Sequence, residues 1–278
     1  MERIAFRRRA VDRGAKLLVS LAAFLVVLPL FLIFLDLLWK GGRALDLSLL
    51  TELPKPVGEA GGGIANGILG TLTVAGLAMA VGIPLAVLTG IYLAEYGRGI
   101  FASTVRFSVD VLTGVPSIIM GIFGYILWVL PMKRFSAWAG ASALAMIFIP
   151  IVVRTTEEML KTVPMPVREA ALALGIARWK TTLHIVLRTA GAGVVTGILL
   201  AMARIVGETA PLLFTALGNQ FWQSGLDQPI AAIPLQVFQY AISPYDDWHA
   251  KAWAGAIVLI GIVLVLSIGA RILVREKP

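Results

Sequence analysis
The sequence predicts an all-α integral membrane protein with six transmembrane helices. Three observations carry that expectation. The 278 residues are 58% hydrophobic and only 14% charged, against about 25% charged in ordinary soluble domains. The apolar residues gather into runs long enough to cross a bilayer. The basic residues sort to one side of those runs. A mean hydropathy of +0.87 excludes a water-soluble globule, and a disordered chain would carry the opposite composition.

A membrane-spanning helix needs about 20 mostly apolar residues. The first run is Leu17 to Leu35, extending to Trp39. It is too long for a signal-peptide core and no small-residue cleavage pattern follows it, so it reads as a retained span. The second run is Ile64 to Ala94, the third Val111 to Met132 and the fourth Phe135 to Val153. The fifth, Thr189 to Leu217, is interrupted only by Arg204 and Glu208; the sixth is Ala252 to Ala270. No ten-residue alternation suggests a β-barrel. Gln228 to Tyr245 is also uncharged, but its three glutamines and three prolines suit an interfacial or re-entrant element on the outside rather than a lipid-facing helix.

Charge fixes the orientation. With residues 1–16 inside and six spans, the inner segments hold 17 of the 24 basic residues. These include Arg3, Arg7, Arg8, Arg9 and Arg13 at the start and Arg271, Arg275 and Lys277 at the end. Six lie outside: Lys40, Arg43, Lys55, Lys133, Arg134 and Lys251. That split satisfies the positive-inside rule with both termini cytoplasmic. The net charge of +8 is then topological, with the N-terminal arginines as an anchor to anionic lipid and no nucleic-acid partner. The expected organisation is a basic N-terminus (1–16), a first span (17–39) and a five-span core (64–274). That core carries a cytoplasmic loop at 161–188 and an external loop at 218–250.

Several chemistries are absent. There is no cysteine, so no disulfide, thiol nucleophile or iron–sulfur site. No G-x-x-x-x-G-K-[ST] motif occurs. His184 and His249 lie on opposite sides of the membrane, so neither a metal site nor a catalytic constellation is expected. Pro29, Pro84, Pro116, Pro150 and Pro211 fall within spans and can kink them. Small residues recur at four-residue spacing (Gly82, Ala86 and Gly90; Gly193 and Gly197; Ala252 and Ala256), which lets helices approach closely.

The loop after the fourth run is the most informative stretch. Pro164 and Pro166 end one helix and start another. Glu169 is expected near the positive end of that new helix. Ala170 to Ala173 continue it, and Gly175 stops it. Glu169-Ala170-Ala171, Gly175, Ile185 and Leu187 resemble the EAA loop of ABC importer permeases, with Arg188 where that pattern has proline. A second stretch, Arg204-Ile-Val-Gly207-Glu208-Thr209-Ala210-Pro211, is similar to the phosphate permease subunits of the PstA family. Val115 to Ile119 and Val153 to Glu158 share the likeness, which covers roughly residues 17–275.

The resemblance implies a type I ABC importer permease fold in the bacterial inner membrane. It implies a PstC-like sister permease, a PstB-like ATPase dimer carrying the ATP and magnesium, and an external PstS-like phosphate-binding protein. This chain itself would hold no cofactor and catalyse nothing. Glu169, Ala170, Ala171 and Gly175 would couple it to the ATPase.

Arg204 falls near the middle of its run, with Glu208 one turn later. Charges at that depth cost several kcal/mol unless paired or facing water. Two readings follow: Arg204, Glu208 and Thr209 line an anion path, or Arg204 and Glu208 form an ion pair between permease subunits. Arg154 would snorkel to headgroups or offer an exit-side phosphate contact, with Asp110 as a possible partner. An ABC permease for sulfate or molybdate, and an ion-coupled secondary transporter, remain alternatives.

Overall fold
The structure, a computed structural model, describes residues 2–274 apart from 57 and 60, with side chains from 12 to 272. The orientation signals expected at Arg3, Arg7, Arg8, Arg9, Arg275 and Lys277 lie outside the described side chains. Among the described residues every regular element is helical, save one bridge between Leu217 and Ile230.

The first helix, α1 (Glu2–Gly42), runs on through Pro29. The short α2 (Leu47–Thr51) is capped by Asp46, which accepts the Leu49 N–H at 2.7 Å. That bond and the Ser48 hydroxyl hold the Asp46 carboxyl below its ordinary value. Helix α3 (Ala65–Tyr96) closes in a π-helical turn at Tyr92–Tyr96. Then come α4 (Gly99–Gly114) and α5 (Ser117–Met132), bent by 106°. Helix α6 (Ala137–Lys161) leads to the short α7 (Met165–Ala173) and the long α8 (Arg178–Val206). The chain finishes with α9 (Ala210–Thr215), α10 (Ile233–Ala241) and α11 (Asp246–Val274).

Five helices, α1, α3, α6, α8 and α11, are long and apolar enough to cross a membrane, with a sixth if the bent α4–α5 pair is counted as one span. The expected third span needs correction. Val111 belongs to α4, and the chain turns at Val115–Pro116 before α5 begins. A residue before proline is driven out of the helical region, and Val115 is extended at ψ 132°. Hydropathy alone does not register the change of direction.

Residues 161–188 lie at one end of the bundle, the basal end. Residues 47–63 and 217–245 lie at the other, the apical end. At the centre stands α6, with Leu144, Phe148, Val152 and Leu160 buried. The small residues mark where helices meet it. A Cβ on Gly82 of α3 would sit 2.7 Å from the Phe148 ring, and one on Gly90 would sit 2.6 Å from Thr156. On another flank, Gly193 of α8 packs on Met159 and Gly197 packs on Thr155.

The Gln228–Tyr245 stretch does not span. Its helix α10 is nine residues long, about 14 Å, and lies against α3 and α11. Gln236 donates to Asn66 at 2.9 Å, and Asn66 donates to the Asn219 carbonyl at 2.7 Å. The Ile233 N–H donates to the Thr71 hydroxyl at 2.8 Å. Of the three glutamines only Gln236 is buried, its amide nitrogen spent on Asn66, while Gln228 and Gln239 are exposed. The preceding loop caps α6: the N–H groups of Ser136, Ala137 and Trp138 donate to the carbonyls of Thr215, Gln228 and Leu226.

By contrast, the membrane-crossing stretch of α1 buries nothing. It meets the body near its C-terminal end, where Leu37 is buried and Gly41 lies under the Trp253 carbonyl of α11.

One comparison tests the packing. Gly197→Leu drives a side chain into Thr155, whereas Gly191, on the same helix, has nothing within 4 Å of its would-be Cβ. Thermal unfolding in mild detergent should show Gly197→Leu destabilised by about 1–3 kcal/mol, with Gly191→Leu near or above the parent.

Candidate functional site
The site is built around a broken helix. Sequence reading placed Arg204 and Glu208 on one continuous helix face; the structure corrects this. Helix α8 stops at Val206, Gly207 and Glu208 turn, and α9 starts at Ala210. Pro211 has no N–H to give the Gly207 carbonyl, so the ladder cannot run through. The break leaves Arg204 in the last turn of α8 and swings Glu208 beside it.

The depth of Arg204 follows from packing. Helices α6 and α8 are antiparallel, with Gly193 on Met159 and Gly197 on Thr155. Continuing that pairing brings Arg204 level with Phe148, near the midpoint of α6 and beside Gly82 of α3. The Arg204 backbone then stands roughly 17 Å from the apical end of α6 and roughly 20 Å from its basal end at 1.5 Å per residue. The Arg204 side chain is 47% exposed, while Glu208 is only 16% exposed, and Arg204 Nε lies 3.5 Å from Glu208 Oε1. That separation is an ion pair without a tight hydrogen bond. The Thr209 side chain makes no capping bond to α9.

Arg154 occupies different surroundings. It lies on α6, about 9 Å nearer the basal end than the level of Arg204. Its Nε donates to Glu158 at 2.7 Å, and Nη1 lies 3.4 Å from Asp110 of α4. Two carboxylates outnumber one guanidinium.

At the basal end, α7 has the length and boundaries that its prolines and glycine impose. Pro166 sits in the first turn, after Pro164 at the cap. Gly175 has φ +77°, a left-handed conformation that favours glycine. The Gly175 N–H donates to the Leu172 carbonyl and the Ile176 N–H to the Ala171 carbonyl, a Schellman stop. Glu169 is corrected in one respect. It is the fifth residue of α7 rather than part of the first turn, so it gains little from the helix N-terminus. Glu169, Ala170 and Gly175 face outward, while Ala171 is buried. Around them Met165, Leu172, Leu174 and Trp179 expose apolar surface. Arg188, standing where the loop pattern has proline, lets α8 run unbroken from Arg178.

Sequence reasoning missed what holds α7 in place. Arg168 donates through Nη2 to Glu95 Oε1 at 2.6 Å and through Nε at 3.1 Å. Its remaining donors reach the carbonyls of Leu160 and Val163. Both side chains are largely buried, at 14% and 8% exposed. Arg178 adds a bond to the Glu95 carbonyl and stacks 5.0 Å from the Tyr96 ring. Nearby, buried Glu157 accepts from Arg106 at 2.7 Å and from Lys161 at 2.6 Å. Arg106 in turn donates to the Leu93 carbonyl. Only the placement of Arg168 next to Glu169 could have drawn attention to it, because Glu95 is 73 residues away in the chain.

Residues 82–277 match the model of the family described as binding-protein-dependent transport system inner membrane components. The chain belongs to this permease family. It is 48% identical to the phosphate transport system permease protein PstA of Xylella fastidiosa, over 98% of this chain and 95% of that one. It is 47% identical to PstA of Haemophilus influenzae over 94% of each. A probable PstA of Methanocaldococcus jannaschii is 35% identical over 97% of this chain and 95% of its own. Among solved structures, a bacterial alginate ABC transporter matches with a TM-score of 0.68 at 15% identity, over 96% of this chain and 95% of that chain. The MetNI methionine ABC transporter matches at 0.59 and 18% identity, over 76% and 93%. The fold is that of type I ABC permeases. The chain is a multi-pass transport subunit, not an enzyme.

The buried clamp gives a prediction. Arg168→Gln leaves Glu95 buried and unpaired, which costs about 3–5 kcal/mol. Pairing Arg168→Met with Glu95→Met removes both charges and should recover most of that loss. Thermal unfolding of the permease in detergent, run as a double-mutant cycle, checks it; additive losses would rule out a direct pair.

Proposed function
We propose that the chain is the membrane-spanning subunit of an ATP-driven importer of inorganic phosphate in the bacterial inner membrane. Both termini and the basal end face the cytosol in this reading. The observation that carries it is a half-exposed arginine at half depth in a broken helix, in a chain 48% identical to a PstA permease. The split of basic residues supports the orientation.

Inorganic phosphate is a mono- or dianion at neutral pH and must cross hydrocarbon without its water shell. Arg204 offers it a planar pair of N–H donors, and the Thr209 hydroxyl adds another. Glu208 sets the strength of that contact. It holds the guanidinium when the path is empty, and phosphate must compete with it, so the anion is bound without being trapped. Helix breaks at mid-membrane are tolerated where they line a polar path inside protein. Closer to the cytosol, Arg154 is a weaker contact: Asp110 and Glu158 leave its surroundings net negative, which favours release.

Partners complete the machine. A PstC-like sister permease would cover the exposed side of Arg204. A PstB-like ATPase dimer, carrying ATP and magnesium, would receive α7 with Glu169, Ala170, Ala171 and Gly175. A PstS-like binding protein would deliver phosphate to the apical end.

Two experiments test this. In the first, Arg204→Gln abolishes uptake of radiolabelled phosphate. The double change Arg204→Gln with Glu208→Gln assembles at normal levels yet still imports poorly, with sulfate and molybdate assayed alongside. Near-normal phosphate uptake by the double variant would show the pair to be structural only. In the second, Gly175→Val strains a left-handed turn by about 1 kcal/mol or more. The permease should still insert, while co-purifying ATPase and uptake fall together. Full uptake with intact ATPase would remove Gly175 from coupling.

A further inference from the structure
Near the basal end, α8 and α11 part to leave a groove of about 430 Å³ on the surface of the bundle. Its walls are Ala192, Val195 and Leu199 of α8 and Ile268 and Ile272 of α11. Thr196 also lines it, but returns its hydroxyl to the Ala192 carbonyl at 2.8 Å, so the wall offers no free polar group there. Among the described residues, Arg271 is the one charged side chain of the lining. One turn below Ala192, on the same face of α8, stands Arg188, an exposed residue. Helix α8 itself carries no carboxylate, and those of α11, Asp246 and Asp247, stand at its apical start; Glu276 follows Arg271 by five residues, outside the described residues.

Geometry narrows the occupant. From Arg188 to Leu199 is about 16 Å along the helix, close to the half-thickness of roughly 15 Å that one leaflet contributes to the hydrocarbon core. The groove is therefore apolar over one leaflet's depth, with Arg271 at the headgroup level. A free inorganic anion would find a single guanidinium in it and hydrocarbon elsewhere. A phospholipid with an anionic headgroup matches both parts, because an acyl chain fits the apolar wall and the phosphate meets Arg271. Basic pockets between transmembrane helices are a recurrent way of holding such lipids.

We propose that the groove between α8 and α11 is a binding site for one anionic phospholipid of the basal leaflet, with its headgroup on Arg271. The site is separate from Arg204 and the coupling helix, so it stands whatever anion the permease carries.

Native mass spectrometry of the assembled transporter tests this. The complex is incubated in mild detergent with phosphatidylglycerol or with phosphatidylcholine of the same chains. The parent should retain one more phosphatidylglycerol than phosphatidylcholine. Arg271→Gln should cut that preference about fivefold, the factor for one basic group at a membrane surface. Leu199→Trp fills the groove and should release the lipid while leaving Arg271 in place. Subunit masses in the same spectra report assembly, and either variant alone suffices if the other fails to assemble. Three results would overturn the proposal. One is equal retention of the two lipids by the parent. Another is unchanged preference in both variants. The third is displacement of the retained mass by added inorganic phosphate, which would make the site one for a free anion.

Discussion
Hydrocarbon offers no hydrogen bonds, so every backbone group at membrane depth must find its partner inside the protein. The chain breaks its helices twice under that constraint, at Val115–Pro116 and between Gly207 and Pro211, and it packs the segments after the two breaks against each other. Gly121 of α5 lies so close to the Pro211 Cα that a Cβ would sit 2.6 Å away, and Gly124 faces Thr215. The Leu213 N–H returns to the Thr209 carbonyl, and the Thr215 carbonyl accepts from Ser136. The Thr215 hydroxyl donates to the Pro211 carbonyl at 2.7 Å. The break that follows Arg204 is sealed on its other side by glycines too small to intrude.

A second set of contacts governs the basal end. Glu95–Arg168, Glu157–Arg106 and Glu157–Lys161 join α3, α4, α6 and α7. Buried ion pairs add little net stability compared with apolar packing, yet losing one partner is expensive. Their effect is to make the arrangement specific. A force applied to α7 must carry the end of α3 with it or pull apart a buried pair. The exposed rim of α7, with Met165, Leu172 and Leu174, is held on a firm base.

Much of this was legible in the sequence, and the limits have physical causes. Span existence depends on apolar length, so every long run contains a real helix. Direction does not: hydropathy adds along a chain whether or not it turns, and both proline breaks were read as kinks within single spans. The basal hairpin was readable because its stops are local, Pro166 at the start and Gly175 at the end. Arg168 was not, because its partner comes from another helix, and a buried arginine next to a loop motif looks like any other basic residue. The glutamines and prolines of residues 228–245 announced that α10 avoids lipid, but not that Asn66 of α3 would take the Gln236 amide.

The position of α1 has a consequence for how the protein is made. Its crossing stretch buries nothing, and its seat is α11 at the apical end, where Gly41 meets Trp253. Helix α1 enters the membrane early in synthesis, while α11 leaves the ribosome after all the other spans. For most of translation the first helix therefore has no docking site within its own chain, and it waits in lipid as an independent unit. Closure joins the first and last spans, with Gly41 and Trp253 212 residues apart in the chain. A chain cut short in α11 would keep α3, α6 and α8 in their places and still leave α1 adrift.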